Sequence, residues 1–151
     1  MIAMQHDTTE VDARFRTMMI LWLVLLMSQV MFFGMVFVIR PDIMNPPIQP
    51  MLGENPLLVL LFGILAFMNI AVSFFLRKRA QEQAILERKM SYVQTGLIIA
   101  CAVCESISLM GFVLAIAFGY QYFFFWFIIG IIGIFMHFPR RQHLLEAIYG
   151  K

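Results

Sequence analysis

The chain has 151 residues, 62% hydrophobic and only 13% charged, with a mean hydropathy of +0.85. A soluble domain of this size cannot hide that much apolar surface, so its solvent is a lipid bilayer. The net charge of +2 is too small to point to nucleic acid, and two cysteines do not make a disulfide framework.

Residues 1–16 are mostly polar and hold Asp7, Glu10, Asp12, Arg14 and Arg16. The apolar run that follows is too long for the h-region of a secretory signal, and no small-residue cleavage site ends it, so a retained helix is expected. A helix needs about 20 apolar residues to cross the hydrocarbon core. The first span is Thr17 to Ile39. The loop after it, RPDIMNPPIQPMLGEN, is too rich in Pro for a helix and is expected to cap the outer surface. The second span is Pro56 to Leu76, with Pro56 suited to a first helical turn. RKRAQEQAILERKM is a good helix former and predicts that the second and third spans continue beyond the bilayer as a helical hairpin. The third span is Val93 to Phe118, and the fourth is Tyr122 to Phe138, stopped by Pro139. The tail RRQHLLEAIYGK is predicted to form a short amphipathic helix on the membrane surface or against a partner. Backbone groups in lipid must be satisfied within each span, and the alternation a barrel needs is absent. The fold class is therefore an all-α integral membrane protein with four transmembrane helices in a single membrane domain.

Ten of the eleven basic residues fall on one side if the loop carrying Arg77, Lys78, Arg79, Arg88 and Lys89 is cytoplasmic. Both termini are then cytoplasmic, and a bacterial inner membrane is the expected location. Aromatic residues gather near span ends. Trp22, Trp126, His137, Arg140 and Arg141 are the expected membrane-interface anchors. SFFLRKR and MHFPRR close the second and fourth spans alike, a faint internal repeat.

Within the third span, CAVCESISLMG carries a carboxylate, Glu105, roughly 18 Å into the helix at about 1.5 Å per residue. Ionised at that depth, it costs about 2.5 kcal/mol or more. It must stay protonated, reach a water cavity, find a partner or hold a cation. Cys101, Cys104, Ser108 and Phe112 share its helix face, and Ser106 follows it. On the parallel first span, Ser28 and Gln29 match its depth, so a Gln29–Glu105 hydrogen bond is available; Asn69 is judged about two turns too near the cytoplasm. The site expected from these residues is an ion-binding or interhelical polar locus of Glu105, Ser106, Ser108, Gln29 and Ser28. Cys101 and Cys104 lack the further soft ligands a metal site needs and read as packing thiols.

GLIIACAVCESISLMGFVLAIAF, residues 96–118, resembles the carboxylate-bearing helix of the proteolipid (c) subunit of rotary ATP synthases. Small residues lead to Glu105 and Ser106, followed by Leu109, Gly111 and Ala115 in that family's order. The resemblance implies that Glu105 binds and releases a proton or sodium ion, with Ser106 and Gln29 as ligands.

No nucleophile–base pair, phosphate loop or metalloprotease motif is present, so neither catalysis nor a cofactor is expected. The expected partners are the lipid bilayer and other membrane subunits, not nucleic acid. Three functions stay open: an accessory subunit of a larger membrane complex, a proteolipid-like ion-translocating subunit, and a lone channel or carrier. The last is weakest, because one acid and a few amides hardly line a pathway.

Overall fold

The computed structural model describes residues 2–45 and 50–150, with side chains from residue 9 onward except Met44. Among these there is no strand. The helices are α1 (Ile2–Ile39), α2 (Pro56–Glu87), α3 (Met90–Phe118), α4 (Phe124–Met136) and α5 (Arg141–Tyr149), with a 3-10 turn at Pro41–Met44. Three stretches are long and apolar enough to cross a bilayer: Thr9–Ile39, Pro56–Glu87 and Met90–Phe118. The fourth differs from expectation. α4 has 13 residues, about 20 Å of helix, and passes only together with α5, from which it is bent by 44°. Pro139 cannot continue the α4 ladder, and the chain turns there.

α3 is the central helix and packs on α1, α2, α4 and α5. It buries eleven residues, whereas the longer α2 buries four, so α2 is an outer helix with most of its surface uncovered by the chain. Three of those four, Val59, Ala66 and Ser73, are seven apart and form one seam against α3. The hairpin between them is closed by Arg88 in the left-handed region, φ 52°. Tyr92 Oη and Lys89 Nζ donate to Glu87 Oε2 at 2.8 and 3.2 Å. Those bonds, Tyr92 first, hold the Glu87 carboxyl below its ordinary value. At the other end Gly119, φ 61°, ends α3, with Tyr120 N–H on Leu114 O at 3.0 Å and Gly119 N–H on Ala115 O at 3.1 Å.

The core falls into two apolar clusters. One lies at the end with most of the basic residues and joins Val11, Met18, Trp22, Leu97, Ile134 and Leu144. The other surrounds Val36, Val59, Leu114, Phe123 and Phe127. The predicted hairpin extension is present, and the polar N-terminal segment is a continuous part of α1. α5 is amphipathic as expected, but its apolar face is covered by this chain. Leu144 and Ala147 are fully buried against the start of α1 and the α2–α3 hairpin, and Arg141 pairs with Asp12 at 2.7 Å.

In the first loop, Pro46–Gln49 lies outside the described residues. The remainder is tied to the α3–α4 turn. Tyr120 Oη donates to Met51 O at 2.8 Å, and Arg40 donates to Ile116 O at 3.2 Å. Arg40 also pairs with Asp42 at 2.9 Å, and that bond holds the Asp42 carboxyl below its usual range.

Candidate functional site

The polar residues singled out in the sequence lie between the two apolar clusters and form a layer across the bundle. α3 carries Glu105, Ser106 and Ser108, and consecutive helical positions differ by roughly 100°. The three therefore point to different neighbours. Glu105 turns to α1, where Ser28 Oγ is its hydrogen-bond partner. Ser106 turns to α2 and accepts from Asn69 Nδ2 at 2.9 Å. Ser108 turns to α4 and abuts Gly130, where an added Cβ would overlap its hydroxyl.

The partner of Glu105 is thus Ser28, not Gln29. Gln29 is fully buried, and neither its amide oxygen nor its amide nitrogen has a hydrogen-bond partner. Ser108 Oγ is likewise buried and unpartnered. Asn69 is level with the layer, contrary to the depth inferred from span ends. The hairpin explains this: its turn at Arg88 sets an antiparallel register in which positions near 69 and 106 meet, and Gly96 meets Ala80 by the same register.

The hydroxyl protons constrain the chemistry, because a serine has one to donate. Ser106 Oγ gives its proton to Val103 O at 2.7 Å and accepts from Asn69. Ser73 Oγ likewise donates to Ile70 O at 2.7 Å. Ser28 Oγ stands 2.7 Å from Leu25 O and also contacts Glu105 Oε1. The contact ties α1 to α3 through a half-buried acid.

The two cysteines are buried and free. Cys104 Sγ lies 4.0 Å from His137 Nδ1, a proximity not anticipated from the sequence. Nδ1–H donates to Gly133 O at 2.7 Å, and the ring stacks on Phe74 at 4.7 Å. Among the described residues no three His, Cys, Asp or Glu side chains converge as metal ligands. His137 is fully buried, so its ring does not face the headgroups as an anchor would. The same holds for Trp22, which donates Nε1–H to Ile134 O at 2.9 Å, and for Trp126, packed on Phe62. Trp22 and His137 each bond a backbone carbonyl of α4, Trp126 packs by its ring, and His137 Nε2 is buried without a hydrogen-bond partner. Arg140 and Arg141 are exposed.

The tight α3–α4 seam was missed in the sequence. A Cβ at Gly133 would stand 2.9 Å from Cys104 Sγ, and one at Gly111 would stand 2.5 Å from Trp126 Cβ. Its signal is the spacing of small residues: Gly130 and Gly133 on α4 face Cys104 and Ser108 on α3. Against known protein families, curated proteins and solved structures, the chain finds no match.

Proposed function

We propose that this chain is a small, non-catalytic integral membrane subunit of a larger membrane complex, and that Glu105 pins its helices rather than reacting. The observation that carries the reading is the divergence of the polar layer. Glu105, Ser106 and Ser108 each address a different helix of the same bundle instead of converging on one lumen. Interhelical polar bonds of this kind fix helix register in lipid and contribute about 0.6 kcal/mol each on average. In this reading the chain crosses the membrane four times, with α4 and its flanking turns as the fourth crossing. The end rich in Lys and Arg is cytoplasmic by the positive-inside rule, as in a bacterial inner membrane.

The test is the composition of the native assembly, solubilised gently. One or two copies among unlike subunits is the expected result, with assembly intact in Glu105→Gln and weakened in Glu105→Leu by about 1 kcal/mol.

A second reading, proton or sodium exchange at Glu105 as in the proteolipid family, draws on a separate observation. Glu105 has a single described hydrogen-bond partner, Ser28, while the next residue in sequence, Gln29, has unused, buried amide groups. It requires many identical copies in one particle, pH-dependent modification of Glu105 by a hydrophobic carbodiimide, and loss of transport in a folded Glu105→Gln protein.

A further inference from the structure

At the basic end, the last turns of α2 and the bend between α4 and α5 enclose a cleft of about 330 Å³. Four of its walls are basic: Arg77, Lys78, Arg140 and His143. No carboxylate lines it. Lys78 has Glu82 only at 3.9 Å, and His143 has Glu146 at 3.5 Å. Arg77 donates Nη2–H to Phe138 O at 3.1 Å, which orients its guanidinium across the cleft and leaves most of its five donors uncommitted. Arg77 and Arg140 have no ion pair among the described residues. The cations also feel one another. Burial first, then the charge of Arg77, lowers the His143 pKa, with Arg140 adding to this and Glu146 opposing it.

The opposite wall is apolar. Phe74, Met136 and Phe138 line it and are 39%, 58% and 42% exposed. A cationic wall beside an apolar one, at the end of membrane-crossing helices, complements an amphipathic anion. A free phosphate would satisfy the cations but leave the three apolar side chains uncovered. We propose that this cleft binds the phosphodiester headgroup of an anionic glycerophospholipid, with an acyl chain lying along Phe74, Met136 and Phe138. The assignment is independent of the role of Glu105. It uses the attraction of clustered Lys and Arg to anionic lipid at the membrane surface.

The experiment is native mass spectrometry of the full chain released from detergent, titrated with phosphatidylglycerol, phosphatidylcholine or inorganic phosphate. The variants are Lys78→Gln/Arg140→Gln, both exposed positions, and Arg14→Gln/Arg16→Gln, basic residues at the same end but outside the cleft. The expected result is retention of phosphatidylglycerol well above phosphatidylcholine. Its affinity should fall roughly tenfold or more in Lys78→Gln/Arg140→Gln. It should hold within about twofold in Arg14→Gln/Arg16→Gln, with phosphate at millimolar concentration displacing little lipid. Three results would overturn the proposal: equal retention of the two lipids, equal losses in the two variants, or full displacement by phosphate. A thermal melt without lipid, unchanged in Lys78→Gln/Arg140→Gln, shows that any loss of binding is not unfolding.

Discussion

Single atoms decide the polar layer. Ser108 Oγ is buried without a partner because Gly130 lets α4 approach so closely that nothing else fits beside it. Gly130→Ala should therefore destabilise the bundle by about 2 kcal/mol through overpacking, read as a lowered melting temperature in detergent. Ser108→Ala removes the orphaned hydroxyl and should leave stability within about 1 kcal/mol. Combined with Gly130→Ala, it should recover part of the loss, since the clash is with that oxygen. If the double variant is no more stable than Gly130→Ala alone, the contact is not the cause. The presence of an acid among small and hydroxyl residues was legible in the third span. Its partner was not: Ser28 and Gln29 are adjacent in sequence, and only the rotation of α1 against α3 separates the bonded one from the unbonded.

At the scale of elements, the α2–α3 hairpin sets the register of the molecule. Its turn rests on Arg88, the single non-glycine residue with positive φ among the described residues. The left-handed region costs a residue with a Cβ roughly 1 kcal/mol or more that glycine does not incur. Arg88→Gly is thus expected to raise stability by about 1 kcal/mol, measured by thermal unfolding, with the Asn69–Ser106 register retained. A destabilised variant would mean that the Arg88 side chain contributes more than its backbone strain costs. The hairpin itself was legible, because RKRAQEQAILERKM is a run of helix formers between two apolar spans. The level of Asn69 against α3 was not, because depth counted from span ends ignores how far α2 extends past them.

Over the whole molecule, the core of the apolar spans continues past them into the basic end. The start of α1, the hairpin and α5 meet there around Val11, Ala84, Leu144 and Ala147. Leu144 is fully buried, and Leu144→Ala should cost about 2–4 kcal/mol and loosen α5. Limited proteolysis checks this: cleavage after Arg140 or Arg141 should accelerate, while the membrane-embedded helices stay protected. The exposed Asp12–Arg141 pair is worth about 1 kcal/mol at most, so Asp12→Asn should leave that cleavage nearly unchanged. α5 also forms one side of the basic cleft through His143, so its docking and lipid binding are coupled in this arrangement.

By itself the sequence determined that the chain is helical and lives in a bilayer, where its long apolar runs begin and end, and that an acid lies deep in the third of them. These follow from local quantities: hydropathy summed over a helix length, proline and glycine at ends, and the obligation of backbone groups in lipid to bond within the helix. The tertiary structure alone decided which helix each polar residue addresses, and that Trp22, Trp126 and His137 turn inward. It also decided that α4 is short and bent away from α5, and that the tail is covered by its own chain. Those outcomes depend on the rotation and register of one helix against another. Close contacts such as Gly130 against Ser108 and Gly96 against Ala80 fix both, and no periodicity within a single helix encodes them.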